Sequence, residues 1–310
     1  MNYFSVTFSN VLLTLLFLLP GWLLSKSGKV RSEHLGSVSA ILLYICAPCM
    51  FVNALITLET SAELTRNMLL FLVVTLATQG LFLLILFLVM GERRKTFAAR
   101  MMSLASVMGN VGFFGLPIVR AAFPNAPEAA AYSCIFCASM NLLAWTLGVF
   151  FLTEDRKYIS LRAAFVNPTL IPVTVGFLLY LAGARNWLPD LLKGGIQTVG
   201  GMTTPLSMFI LGIRLSTMDW KKLFTQPVPW IASLGKLVVF PLFSYLLVQL
   251  LPLSPVFKAS VLILSATPCA SILLNLAEIH ENGQPLAANC ALLSTLLSVV
   301  TIPLLSLLIG

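Results

Sequence analysis

Two short runs carry the side chains best suited to hold a polar solute inside an otherwise apolar chain. The first, Gly109-Asn110-Val111-Gly112-Phe113-Phe114-Gly115-Leu116-Pro117, sets one carboxamide among glycines and a proline. The second, Ser265-Ala266-Thr267-Pro268-Cys269-Ala270-Ser271, sets hydroxyls around a proline. Both fall where a helix crossing a membrane should run unbroken. Pro117 and Pro268 each remove a backbone donor and displace a carbonyl one turn earlier. Gly109, Gly112 and Gly115 permit close approach of another backbone or of a ligand. A half-helix that begins after such a break presents free N–H groups and the positive end of its dipole, a setting that suits a carboxylate. Asn110 can both donate and accept hydrogen bonds at the first break, and Thr267 and Ser271 can do so at the second. The candidate binding set is therefore Asn110, Gly112, Pro117, Thr267, Pro268 and Ser271, with Asn141 in the next apolar stretch as a further uncharged polar member. The plainer alternative is a kinked helix packed on its neighbours through small residues. Recurrence of the fault at matching places in two halves favours a binding site.

Lys236, in Ser233-Leu234-Gly235-Lys236-Leu237-Val238-Val239, stands several residues from either end of its apolar stretch. Inserting such a charge costs roughly 2.5 to 3.5 kcal/mol, so it should face the protein interior. It could replace a coupling cation, answer the charge of a carboxylate, or support proton coupling. Equally, it could snorkel or pair with a helix C-terminus. Arg214, near one end of its stretch, reads as an interfacial anchor. Cys46-Ala47-Pro48-Cys49 and Cys134-Ile135-Phe136-Cys137 have the spacing of zinc and redox sites. Both lie inside apolar stretches without a histidine, so small structural residues account for them better than a metal. No Asp or Glu stands at the centre of a span, and His-Glu-x-x-His and phosphate-cradling motifs are absent. An intramembrane enzyme lacks its chemistry here, and no cofactor is expected.

The elements that must carry these residues follow from composition. Hydrophobic residues make up 58% of the 310, charged residues 10%, and mean hydropathy is +0.96, far from a soluble domain. The bilayer is the solvent. Stretches of about 17 to 25 apolar residues cross the hydrocarbon as helices. Ten are expected, over residues 8–24, 36–57, 67–90, 97–121, 131–152, 163–183, 196–217, 228–251, 256–278 and 285–309. Leu81-Phe82-Leu83-Leu84-Ile85-Leu86-Phe87-Leu88-Val89 is apolar all round, which excludes the alternation of a membrane barrel. The first stretch lacks a secretory leader's basic start and small-residue cleavage site and is expected to remain as a span. Net charge is +8, and its distribution speaks for membrane orientation rather than nucleic acid. Lys26, Lys29, Arg31, Arg93, Arg94, Lys95, Arg100, Arg156, Lys157, Arg162, Arg214, Lys221 and Lys222 are assigned to the loops after odd-numbered spans, whereas Arg66, Arg120, Arg185, Lys193 and Lys258 go with even ones. The bias puts the odd loops in the cytoplasm and both termini outside. The ninth loop, with Glu278, His280 and Glu281, offers no such signal.

Ten spans divide into two fives, and an odd number per half forces the second half to enter the membrane inverted. Pro48 in span two has its counterpart in Pro205 of span seven, and Pro117 of span four in Pro268 of span nine. The charged joint Glu154-Asp155-Arg156-Lys157 lies between repeats 1–153 and 154–310. The expected fold is an all-α integral membrane protein of ten transmembrane helices in two inverted repeats, with helices four and nine broken and crossing.

The phrase Gly109 to Pro117 resembles the fourth span of the auxin efflux carrier family, which includes bacterial malonate and malate permeases. Further resemblances run in order along the chain: Ala144-Trp145-Thr146-Leu147-Gly148, Asn167-Pro168, Pro205 with Leu211-Gly212, Lys236 to Pro241, Ala266 to Ala270, and Ser294 to Ser298. The resemblance implies a fold related to bile-acid sodium symporters, with spans one, two, six and seven as a scaffold. Spans three to five and eight to ten would then form a transport domain that moves like an elevator. The short joint between spans five and six fits a bacterial organic-acid carrier better than a plant auxin carrier. A secondary transporter of a small organic anion in the inner membrane is expected, coupled to H+ or Na+ or to neither. A homodimer through the scaffolds is one assembly that the resemblance allows. A receptor or sensor binding an organic acid, and a channel, are the rival readings.

Overall fold

The protein is described by a computed structural model covering residues 2–218, 220–277 and 283–309. Its main helices are α1 (Tyr3–Lys26), α2 (Leu35–Ile56), α3 (Ala62–Met90), α4 (Phe97–Ala105), α5 (Val111–Ala122) and α6 (Glu128–Thr153). The second half holds α7 (Leu170–Leu181), α8 (Asp190–Ser216), α9 (Pro227–Gln249), α10 (Pro255–Ser265), α11 (Ile272–Ala277) and α12 (Gln284–Ile309). Seven of these, α1, α2, α3, α6, α8, α9 and α12, are long and apolar enough to cross a membrane, and α5, α7 and α10 are shorter apolar helices. No strand occurs among the described residues. Among them the one ladder contact is an isolated antiparallel bridge between Gly109 and Cys269.

Side chains that receive the first free N–H groups set several helix starts. Asn2 Oδ1 accepts from Ser5 N–H before α1, Ser61 Oγ from Leu64 N–H before α3, and Ser254 Oγ from Phe257 N–H before α10. These caps carry α1 and α3 several residues beyond the hydropathy boundaries at their N-terminal ends. Expected spans four and nine are each divided: α4 ends at Ala105 and α5 resumes at Val111, while α10 ends at Ser265 and α11 resumes at Ile272. The expected span over 163–183 is divided too, because Asn167-Pro168 separates a short helix, Leu161–Phe165, from α7. The ninth loop with Glu278, His280 and Glu281 lies outside the described residues.

Four helical stretches widen into π-type turns, at Leu42–Cys46, Val111–Gly115, Ala144–Gly148 and Gly235–Val239. Three of them end two residues before a proline: Pro48, Pro117 and Pro241. A helical proline clashes with the carbonyl four residues back and cannot donate to it. Widening the preceding turn absorbs that mismatch while the helix continues.

Packing divides by contact surface. α1 runs along the second half of α8, and α2 is held between α7 and the first half of α8. Glycine makes the first contact close, since a Cβ on Gly21 would run into the carbonyl of Phe209, and one on Gly212 into that of Leu18. Gly200 does the same for α2, where a Cβ would lie 2.8 Å from Met50 N. Elsewhere α3 packs on α6, and α9 on α10 and α12. Buried rings join α3, α6 and α10: Phe71 stacks on Tyr132 at 4.4 Å between centroids and meets Phe257 edge-on at 4.7 Å. Gln79 Nε2 donates to Ser139 Oγ at 2.8 Å, fastening α3 to α6 through a buried polar pair.

Candidate functional site

The two interruptions meet. Asn110 N–H donates to Pro268 O at 2.7 Å and Ala270 N–H donates to Met108 O at 2.9 Å, so the unwound segments pair as a two-bond antiparallel bridge. Backbone groups released from the helices are thus satisfied by each other, as an apolar surrounding requires. The half-helix ends are capped across the same junction. Cys269 Sγ–H donates to Ala105 O, the last residue of α4, at 3.2 Å. Lys236 Nζ donates to Ser265 O, the last residue of α10. Ser294 Oγ accepts Cys269 N–H at 2.9 Å, and Ser133 Oγ donates to Val111 O at 2.8 Å, so α12 and α6 each steady one interruption.

Lys236 is fully buried and its Nζ lies 5.0 Å from the Phe240 ring centroid. A Cβ on Gly109 would come 2.8 Å from that Nζ and 2.6 Å from Thr267 Oγ1. The ammonium therefore fills the space beneath the bridge and sits at the negative end of the α10 dipole. Thr267 is buried beside it, its hydroxyl donating to Leu264 O at 2.8 Å. Pro268 contributes its carbonyl to the bridge.

Two adjoining cavities open on the other side of the bridge. One, of about 300 Å³, lies among α2, α8, α11 and α12 and includes Ser39, Ser207, Arg214 and Thr295. The second, of about 100 Å³, reaches inward to Gly112, Asn141, Trp145, Asn167 and Thr169. Asn110, Phe113, Ser271 and Asn275 line both. Asn110 occupies the cap position of α5 but makes no capping bond with its side chain, leaving the carboxamide to the cavity. Asn141 Nδ2 donates one of its two N–H groups to Cys137 O at 2.9 Å, which leaves the second N–H and the carbonyl oxygen of the carboxamide. Gly112 is tight, since a Cβ there would lie 3.1 Å from the Phe51 ring. No Asp or Glu lines either cavity among the described residues.

Of the sequence candidates, Asn110, Gly112, Asn141 and Ser271 thus gather around one space. Thr267, Pro268 and Lys236 lie behind it as its support, and Pro117, about two turns beyond Asn110 along α5, faces a different cavity. Sequence reasoning missed Asn275, Asn167, Thr169 and Trp145. Asn275 had a readable signal, because it follows Ser271 by four residues and so shares its helical face. The other three come from α6 and the α7 entry, and only tertiary packing brings them here. All six cysteines are free, and no cluster of metal-ligating side chains occurs among the described residues.

A multi-pass chain, all-helical over its described residues, whose two interrupted helices pair at their breaks has the build of a membrane transporter. The comparisons give the family: the chain matches the family described as membrane transport protein over residues 6–306 and belongs to it. This is the family that the auxin efflux carrier resemblance indicated. It is also similar to an uncharacterized transporter of Methanocaldococcus jannaschii, 27% identical over 305 residues that cover 95% of this chain and 96% of that protein. An uncharacterized transporter of Methanothermobacter thermautotrophicus is 22% identical over 302 residues, 96% of each chain. The protein is a membrane transporter and not an enzyme.

Proposed function

We propose that the protein is a secondary transporter of a small organic anion, bound at the bridge by Asn110 with Ser271, Asn141 and Asn275. The observation that carries this reading is the uncapped Asn110 at the start of α5, facing a cavity without acidic residues. A carboxylate there would accept from the carboxamide and meet the positive end of the α5 dipole. Gly112, Pro117, Thr267 and Pro268 shape the two breaks, and Lys236 compensates charge from beneath them. As a fixed positive charge Lys236 could replace a coupling cation, and transport coupled to H+, to Na+ or to no ion is compatible with this reading.

In this reading the chain forms ten spans as two inverted repeats, 1–153 and 154–310. Spans one, two, six and seven form the scaffold and the remainder an elevator-like transport domain in the cell's inner membrane. The contacts of α1 with α8 and of α2 with α7 support the grouping, since repeat inversion exchanges one pair for the other. Both termini face outward, and any dimer forms through the scaffolds.

The test is a thermal-shift screen of purified protein against mono- and dicarboxylates, indole acids and bile acids, with and without sodium. A ligand at a hundred times its Kd should stabilise by about 2.7 kcal/mol. A carboxylate shift that vanishes in Asn110→Ala supports the reading; a shift indifferent to that change removes the bridge as the site. Counterflow in proteoliposomes then separates carrier from channel and from receptor.

A further inference from the structure

A further cavity, of about 770 Å³, is lined by α1, α2, α5 and α8. Early α8 packs on late α2, so these helices are antiparallel. The larger cavity beside the bridge meets the start of α2 and the end of α8, including Leu35 and Arg214. This one meets Met50 and Asn53 of α2 and the part of α8 between Gln197 and Pro205. The two spaces therefore face opposite ends of the pair. α5 joins them, with Asn110 before its first turn in one and Pro117 and Arg120 in the other.

We propose that this cavity is a second carboxylate site, an entry vestibule in which Arg120 supplies the charge and Gln197 and Asn53 the hydrogen-bonding groups. The inference rests on the anion reading of the bridge but concerns a separate space. Arg120 is the one charged side chain lining it among the described residues, and it takes part in none of the ion pairs there. The threonines are committed elsewhere: Thr14 donates to Asn10 O, Thr198 to Gly194 O and Thr204 to Phe113 O. Asn53 differs, being 7% exposed with an Oδ1 that has no hydrogen-bond partner. A buried carbonyl oxygen left so is destabilising until a donor reaches it. Asn53 Oδ1 is enclosed as it stands, so a ligand with a carboxylate for Arg120 and a hydroxyl that Asn53 meets by turning its carboxamide to the cavity satisfies both, which makes a small hydroxycarboxylate the best-fitting class. A lipid phosphate shares the anionic chemistry and must be separated by experiment.

In detergent, Arg120 is modified with phenylglyoxal and read by mass spectrometry, with L-malate, succinate or short-chain phosphatidylglycerol present. The same carboxylates are screened by thermal shift in wild type, Arg120→Gln, Arg120→Lys and Asn110→Ala. The expected result is protection of Arg120 by malate at about tenfold lower concentration than by succinate. Protection should be unchanged in Asn110→Ala, and the shift lost in Asn110→Ala should persist in Arg120→Gln. Arg120→Lys should keep, and Arg120→Gln lose, any part of the shift that does not depend on Asn110. Protection by phosphatidylglycerol alone overturns the proposal, as does protection that disappears with Asn110. An Asn110-dependent shift with no protection of Arg120 overturns the vestibule and leaves the bridge. Protection without any Asn110-dependent shift keeps the vestibule and removes the bridge, and neither signal removes both.

Discussion

Single residues around the bridge divide into those that face the cavity and those that hold it open. Asn110 belongs to the first group. Asn110→Ala should reduce transport at least tenfold, the loss of a hydrogen bond to a charged ligand, with a melting temperature close to wild type. Proteoliposome flux beside thermal unfolding checks both halves of that expectation. Lys236 belongs to the second group, because its ammonium caps Ser265 O under full burial. Lys236→Met removes that hydrogen bond and should lower stability by about 1.5–3 kcal/mol, visible in unfolding even where no substrate is present. If the residue serves coupling as well, the pH dependence of flux should change with it; an unaltered pH profile leaves the capping role alone. Gly109→Ala would drive a methyl group against Thr267 and Lys236 and should cost about 1–3 kcal/mol as overpacking.

At the scale of elements, the close α1–α8 contact depends on two glycines, each under a backbone carbonyl of the partner helix. Backbone cannot retreat as a flexible side chain does. Gly212→Leu should therefore force the helices apart and abolish a stable fold, whereas Gly194→Leu, on an open face of the same helix, should be tolerated. Size-exclusion profiles of the two variants after mild heating make the comparison. A second tie sits at the joint between the halves. Arg100 of α4 meets Glu154 at 2.6 Å, with the Arg side chain 11% exposed and the Glu 50% exposed. Glu154→Gln should weaken the α4–α6 contact by on the order of 1 kcal/mol. Glu154 also holds a left-handed backbone, φ 57°, so Glu154→Gly should remove the ion pair yet relieve that strain and lose less than Glu154→Gln.

The whole molecule presents cavities toward both ends of the α2–α8 pair, one beside the bridge and one farther along α5. The proposed carrier would need access on alternate sides. Ser39 lines the 300 Å³ cavity away from the bridge, so Ser39→Trp should block entry from that side while leaving the bridge intact. Side-specific counterflow in oriented vesicles reads the asymmetry. In the orientation proposed from the positive-inside bias, a C-terminal epitope should be reachable by antibody on intact spheroplasts.

What could be read along the chain was whatever depends on local composition. Apolar runs of bilayer length forced helices, because backbone polar groups in hydrocarbon have no other partner. Gly109 to Pro117 and Thr267-Pro268 marked the breaks, because proline cannot donate and glycine resists neither bending nor contact. Asn110 and Ser271 were identifiable as the polar groups stranded there. Tertiary structure decided what each break faces. It turned Lys236 and Thr267 inward beneath the bridge and gathered Asn275, Asn167 and Trp145 with Asn141 around one cavity, while Pro117 went to another. Those assignments depend on how separate helices rotate and close upon one another. Residues far apart in sequence acquire a common surface only through that packing, and no periodicity within a single helix encodes it.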